Sequence, residues 1–350
     1  LPGQPLPAVF GASEPRRNYA AMRNRGFEVT LGYNDEFMVL GSELSLSAQA
    51  NVSNNTAEIT KFDNPNGLLS TFYEGQRIGE IWGYRIDGQF QSDEEAAAFQ
   101  SEYGRDNLFR VYRGILDYGS NSDWNLLRGG DLRYVDVDGD GSIDNGNNTL
   151  EDHGDLVPIG NALPQFPFGF NISATWKNID LTVIGQGVAK QDWYPNGPLY
   201  WATFHRPYTS FIRKDLLNQV WDPAHPNDPN RIFPQRQRAY NALSNGRMSY
   251  NYNDHFLTNI GYLRIKNLTL GYTIPPTFTK KINVKRLRVF LSGENIFTWS
   301  FGGLTKYLDP EEVGAHVSYS NPNSVSGRSA TDTQLYPMGK TFSAGLQINL

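Results

Sequence analysis

The segment from Asp136 to Asp144 has the residue types and the spacing of a calcium-binding loop. Carboxylates stand at its first, third, fifth and ninth positions. Because alternate residues of a tight coil point inward, oxygen atoms at this spacing can surround a hard cation. Gly141 allows the sharp turn at the sixth position. The predicted ligands are Asp136, Asp138, Asp140, Ser142 through its carbonyl, Asp144 and Asn147. The sequence thus predicts a structural Ca²⁺ site, and the alternative is an acidic turn without an ion.

The twelfth position of this loop departs from the calcium pattern. It is Asn147, where such loops carry a bidentate Glu. Closure of the loop could bring another carboxylate into that place, and the candidates are Glu151, Asp152 and Asp155. Loop and strand, not helix, are predicted on both sides of the segment, so a helix–loop–helix EF-hand is not expected.

A second group of candidate residues lies in the stretch 188–256, which is rich in aromatic and amide side chains. Aromatic faces stack on sugar rings, and amide groups satisfy hydroxyls. The candidate contact residues are Trp193, Tyr194, Tyr200, Trp201, Phe204, His205 and Tyr208. One interpretation is a contact with a substrate or a partner protein. The other is that a long ordered loop buries these rings against itself, and the sequence favours neither.

Residues for catalysis form no recognisable motif. The five His residues are scattered, with no His-Glu-x-x-His or Gly-x-Ser-x-Gly pattern, and the chain has no Cys. We therefore expect no enzyme activity, with a glycan-degrading enzyme kept as an alternative. The net charge of −5 argues against binding of nucleic acid, which usually requires a basic face.

The elements that would hold these loops are β-strands in which apolar residues alternate with small or polar ones. In the segment 341–350, Phe342, Leu346 and Ile348 share one face, since side chains alternate across a strand. The same alternation predicts seven strands, at 27–34, 37–50, 166–176, 179–183, 268–274, 287–292 and 341–350. The polar face is rich in Gly, Ser, Asn and Thr and poor in charge, which suits the inside of a barrel better than the outside of a soluble β-sandwich. The predicted fold class is all-β, with antiparallel transmembrane β-barrel strands.

The predicted connections between strands are unequal in length. Turns at 34–36 and 177–178 are short, whereas the stretches 51–165, 188–256 and 299–338 are long, as in outer-membrane barrels. A capping box at Ser92 predicts a helix that ends at Gly104. A second helix is predicted at about 209–220. No apolar run approaches the ~20 residues of a spanning helix.

Short motifs along nearly the whole chain resemble, in the same order, the C-terminal half of SusC/RagA-type TonB-dependent outer-membrane transporters. They are MRNRGFE (22–28), EGQRIG (74–79), GGDLRYVD (129–136), TLEDHGD (149–155), IGNALP (159–164), YLRIKNLTLGY (262–272), GENIF (293–297) and YPMGK (336–340). Each motif alone is short, and their shared order makes the resemblance specific.

This resemblance implies a large plugged barrel of about 22 strands in the outer membrane of a Gram-negative, Bacteroidota-like cell. Such transporters import oligosaccharides or peptides with energy from the TonB complex, and they pair with a SusD-like surface lipoprotein. The apolar strand faces are then expected to contact the lipid bilayer. The alternative is a calcium-stabilised soluble β-sheet domain that binds carbohydrate.

Seven strands cannot close a barrel of that width. We therefore expect residues 1–350 to be the C-terminal part of one barrel, without the plug, the TonB-contacting N-terminal segment and the early strands. Within it, the stretches 51–165 and 188–256 are expected to be long extracellular loop regions.

Overall fold

The computed structural model of the protein describes residues 20–116, 126–195, 198–201, 214–234, 251–303, 308–315 and 338–349. The strands in these ranges are β1 (Ala21–Val39), β2 (Ser42–Lys61), β3 (Glu80–Gly83), β4 (Ile86–Gln89), β5 (Leu132–Tyr134), β6 (Val157–Asn161), β7 (Gln165–Trp176), β8 (Ile179–Lys190), β9 (Asp192–Trp193), β10 (Thr258–Asn259), β11 (Tyr262–Thr273), β12 (Arg286–Ser300) and β13 (Thr341–Asn349). The helices are α1 (Asp93–Tyr103) and α2 (Arg105–Leu116), with shorter helical segments at Pro198–Trp201, Leu216–Asn218, Pro276–Thr279, Lys280–Ile282 and Pro310–Ala315.

Seven long strands form one antiparallel sheet in the order β1-β2-β7-β8-β11-β12-β13. Neighbours in the sheet follow one another along the chain, apart from the small strands inside the long connections. Each of the seven predicted strands overlaps a long strand of this sheet, although 37–50 includes the end of β1 and the turn at 40–41 before it enters β2. The lengths, from 9 to 20 residues, exceed the ~5–6 typical of soluble sheets. The prediction of an all-β fold with antiparallel strands is confirmed.

One predicted turn is wrong. Strand β1 continues through 34–36, and Leu40 and Gly41 make the turn instead, with φ of 50° and 72°. Two residues with positive φ match the twist of the flanking strands, which is why such turns join hairpins. Strand β2 likewise continues to Lys61, so residues 51–61 of the stretch predicted as a loop belong to a strand.

Strand register keeps the apolar side chains of neighbouring strands on one face. Leu346 lies opposite Val289, and Val289 lies opposite Tyr272. Tyr272 in turn lies opposite Ile179 on β8. Many of these side chains are exposed, including Leu346 at 66% and Leu31 at 70%. The sheet therefore presents a continuous exposed apolar face, which we call the outer face.

The opposite, inner face is polar. Asp180 on β8 forms a bidentate ion pair with Arg288 on β12, reaching across the intervening strand β11. Gly271 on β11 makes this bridge possible, because a Cβ at that position would lie within 2.5 Å of both side chains. Thr269 and Ser292 share a hydrogen bond of 2.9 Å on the same face.

The long connections form a second layer with its own hydrophobic core. The small strands pair as β3–β6, β4–β5 and β9–β10, and helices α1 and α2 pack beside them. Ser92 caps α1, as predicted, by accepting a hydrogen bond from the Glu95 amide at 3.2 Å. Helix α2 was not predicted. The predicted helix at about 209–220 lies partly outside the described residues, and its described end holds only the 3-10 turn Leu216–Asn218. Among the described residues, no helix has the length and hydropathy to cross a membrane.

Candidate functional site

The loop from Asp136 to Asp144 leaves the end of β5 in the second layer. Strand β5 is fixed by pairing with β4 and by burial of Tyr134, whose ring packs edge-on against Tyr112 and Tyr84. The loop itself is tight, because Gly139 and Gly141 have φ of 75° and 82°. Strand β5 therefore fixes the position at which the acidic loop begins.

The carboxylates of this loop fold it by accepting hydrogen bonds from its own amides. Asp136 accepts from the amides of Gly139 and Gly141 at 2.7 and 3.0 Å. Asp138 accepts from the amide of Asp140 at 3.2 Å, and Asp140 accepts from the amide of Ser142 at 2.7 Å. These short-range hydrogen bonds stabilise the turns of the loop.

Three carboxylates from two parts of the sequence meet at this loop. One oxygen each of Asp136, Asp138 and Asp155 lies within 4.8 Å of the others. Asp155 is 1% exposed, and it accepts hydrogen bonds from the Val137 and Asp144 amides at 2.5 and 2.8 Å. Burial raises the pKa of the Asp155 carboxyl, and the charges of Asp138 and Asp136 raise it further. A cation between the three would offset this repulsion.

The remaining predicted ligands, Asp140, Ser142, Asp144 and Asn147, are not part of this group of three carboxylates. Asp144 accepts from the Gly146 amide at 2.6 Å, and the Ser142 hydroxyl donates to it at 3.2 Å. Asn147 donates to Asp152 at 2.5 Å, which connects the twelfth position to one of the carboxylates proposed to replace it. Oxygen donors of this kind suit Ca²⁺, which takes 6–8 of them in flexible geometry. The residues present thus fit a calcium ion.

The described aromatic residues of the stretch 188–256 are mostly buried in the second layer. Trp193, Tyr194 and Trp201 are 2%, 5% and 3% exposed, and Tyr200 is half-buried. Trp201 packs edge-on against Phe256, with ring centroids 4.7 Å apart. This placement favours the interpretation that the loop packs against itself. Phe204, His205 and Tyr208 lie outside the described residues.

A cavity of about 270 Å³ adjoins the acidic loop. Its walls combine aromatic, amide and cationic groups from two of the long connections, among them Trp82, Tyr84, Arg110, Asn145, Asn148 and Tyr252. Asn145 and Asn148 follow directly after the acidic segment. The conformation of the acidic loop therefore affects the cavity wall that Asn145 and Asn148 form.

An ion-pair network on the inner face was missed by the sequence analysis. Arg264 on β11 is 1% exposed and pairs with Asp309 at 2.5 Å and with Glu311 at 2.8 Å. Lys266, two residues along, also reaches Glu311 at 2.9 Å. Asp309 additionally accepts from the Met338 amide at 3.2 Å. The network holds the segment 308–315 against the sheet, and its local signal in the sequence is the pair of basic residues Arg264 and Lys266 on one strand.

No protein-family model matches the chain. TonB-dependent receptors P3 and P39 of Formosa agariphila are each 25% identical to it. The similarity covers 99% and 85% of this chain but only 30% and 28% of those receptors. The chain thus spans less than a third of the length of these curated relatives.

Two solved structures share the fold. One is described as the RagAB peptide transporter, with a TM-score of 0.54, 17% identity and coverage of 98% of this chain and 31% of that one. The other is the RagAB peptide importer in the open-open state, with a TM-score of 0.59, 18% identity and coverage of 99% and 31%. The resemblance to SusC/RagA-type TonB-dependent transporters, first drawn from the motifs, is confirmed by the named relatives and by this shared fold.

Proposed function

We propose that the chain forms part of the wall of an outer-membrane, TonB-dependent importer. The observation that supports this most strongly is the seven-stranded sheet with an exposed apolar outer face and a polar inner face. Lipid-facing and lumen-facing residues alternate in this way in membrane barrels. The names of the curated relatives, TonB-dependent receptors, support the same function.

We propose that the imported molecule is an oligosaccharide or a peptide. A SusD-like lipoprotein would act as the partner of the importer. The related structures are described as peptide transporters, which supports a peptide. Aromatic and amide groups line the 270 Å³ cavity, which suits sugar rings and peptide groups alike. The contact with TonB would be made by the part of such transporters that precedes the region matched here.

Within the described part of the chain, β1 and β13 each pair along one edge only. Unpaired strand edges are not tolerated in hydrocarbon, because their backbone groups would lose their hydrogen bonds. The proposed importer therefore needs further strands beside β1 and β13. Residues 1–350 alone should not mediate uptake into liposomes.

Uptake by cells tests the proposed function. Cells lacking the gene should lose uptake of labelled oligosaccharides or peptides, and the wild-type gene should restore it. Collapse of the proton gradient should abolish the restored uptake, because TonB-linked import needs that energy. Uptake that is unchanged in the deletion strain, or that survives collapse of the gradient, would refute the proposal.

We also propose that the acidic loop binds a structural Ca²⁺ through Asp136, Asp138 and Asp155, with further oxygens from Asp140, Ser142 and Asp144. The support is the meeting of three carboxylates, one of them buried. Mg²⁺ should compete poorly, because it requires a tighter octahedron and gives up its waters reluctantly. The ion would order the loop and the neighbouring cavity wall.

Asp136→Asn combined with Asp138→Asn should weaken calcium binding more than about tenfold, since even outer-shell changes at metal sites cost 10–100-fold. Calorimetry measures the affinity, and protease cleavage within 136–155 reports the order of the loop. Glu102→Gln, which removes one exposed charge on helix α1, is the control and should leave both unchanged. Equal calcium affinity in the double variant and the wild type would argue against the site.

A further inference from the structure

Three arginines lie on the outer face beyond the loop end of its apolar band. Arg23 and Arg25 on β1 lie opposite Glu58 and Thr56 on β2. Arg77 forms an isolated bridge with Glu58, so its side chain is on the same face as Glu58. We call Arg23, Arg25 and Arg77 the basic cluster.

The position of the cluster relative to the apolar band follows from strand geometry. On β7 the band runs from Phe166 to Trp176, ten residues or about 33 Å of strand. At a tilt of 35–45° this spans about 25 Å, the height of a lipid-facing band. Phe27 contacts Phe166, with ring centroids 6.4 Å apart, and therefore marks the loop end of the band. Arg25 lies two residues further, about 6–7 Å along the strand, at the depth of lipid headgroups.

The charge of the cluster is only partly balanced by protein groups. It contains three cations and one carboxylate, Glu58, which pairs with Arg23 at 3.0 Å. Among the described residues, the side chains of Arg25 and Arg77 form no ion pair. Glu80 places a second carboxylate near Arg77, where it accepts hydrogen bonds from Tyr73, from Trp82 at 2.9 Å and from the Arg77 amide at 3.2 Å. Two guanidinium groups therefore remain available to an anion.

A cavity of about 510 Å³ opens between the ends of β2 and β7, where the two strands separate. Arg77, Asn54, Thr56 and Phe166 line it, together with the charged side chains of Lys190 and Glu80. It therefore offers two cations against one carboxylate, amide and hydroxyl groups, and an aromatic ring next to the hydrocarbon. This combination suits a headgroup whose anionic part enters the cavity while its acyl chains lie along the apolar band. At the loop ends of β8, β11 and β12, the outward residues Gly187, Leu263 and Trp299 carry no charge, so the feature is local to β1 and β2.

We propose that the basic cluster and this cavity bind the phosphate group of an outer-leaflet lipid. The inference rests on the placement of the outer face in the membrane, which is part of the proposed function. Guanidinium groups match phosphate oxygens bidentately. Basic residues near a membrane surface attract anionic lipids with about 1 kcal/mol each, or about fivefold in affinity.

The experiment uses the intact protein extracted from the outer membrane. It is incubated with vesicles of phosphatidylcholine, with or without a monophosphorylated glycolipid, and native mass spectrometry counts the phosphorylated lipid retained. Arg25→Gln and Arg77→Gln should each reduce retention about fivefold, and the double variant should reduce it further. The control is Lys177→Asn at the opposite end of the band, where Lys177 lies 4.4 Å from the Trp176 ring. The Lys177→Asn variant should retain the same amount of phosphorylated lipid as the wild type.

Two further arms separate the outcomes. Inorganic phosphate should not displace the retained lipid at the concentration of the lipid phosphate, and displacement would show a site for free phosphate instead. Brominated acyl chains should quench the outward-facing Trp176 and Trp299 in every variant. Quenching with equal lipid retention in the wild type and the double variant would overturn the lipid site alone. Absence of quenching would overturn the membrane placement, and with it the proposed function.

Discussion

Replacing Leu346 with Arg is expected to cost about 2–4 kcal/mol of folding free energy in the membrane, if the residue lies near the bilayer midplane. Leu346 is in the middle of β13, is 66% exposed, and lies opposite Val289 on the outer face. A charge at this depth loses its hydration and gains no partner. Long arginines near the band ends can reach the headgroups, but one at the centre cannot do so without distorting the bilayer.

The matched control is Ser343→Arg on the same strand. Ser343 lies opposite Ser292 on the inner face, so the new cation would enter the polar side of the sheet. The amount of heat-modifiable, protease-resistant protein in the outer membrane measures assembly of each variant. Assembly should fall strongly for Leu346→Arg and little for Ser343→Arg. Equal loss in both variants would contradict the assignment of the two faces.

The sheet could be predicted because a period of two is a direct consequence of strand geometry. The residues of 341–350 and 166–176 alternate so regularly that both the strands and their faces follow from the sequence. The prediction of a turn at 34–36 is wrong. Asn-Asp is a common turn signal, but here the pairing of β1 with β2 continues through these residues. Asn34 and Asp35 instead lie opposite Ser47 and Leu46 within the hairpin.

The candidate metal site could be predicted only in part. The spacing of Asp136 and Asp138 is local and visible in the sequence. Asp155 lies nineteen positions after Asp136, and it reaches the site only because the chain between them folds back. The sequence could therefore only name Asp155 among three candidates. The burial of Trp193 and Trp201 is also a tertiary property, because a ring that stacks on a ligand and a ring that packs in a core have the same local sequence.

Arg264 attaches one of the long connections to the sheet through a buried ion pair. Its side chain and that of Asp309 are 2% and 6% exposed, so neither charge is well hydrated. Arg264 also donates to Thr298 at 3.0 Å on the neighbouring strand. Gln186 on β8 donates to Glu311 at 3.0 Å, so the segment 308–315 is fixed to the adjacent strands β8 and β11. Any movement of this connection toward or away from the lumen must break that buried pair.

Arg264→Met should therefore loosen the segment 308–315 by about 3–5 kcal/mol, because removal of one partner leaves the buried charge of Asp309 uncompensated. Lys266→Met is the control, and it should cost less than about 1 kcal/mol, since the Lys266–Glu311 pair is partly hydrated. Hydrogen exchange of the amides in 308–315 measures the local opening free energy, while the amides of β11 and β12 should stay protected. Adding Asp309→Asn to Arg264→Met should recover much of the loss, since the unpaired charge is then gone. Unchanged exchange in Arg264→Met would show that other contacts hold the segment, and failure of the second substitution to restore protection would show that packing, not charge, sets its stability.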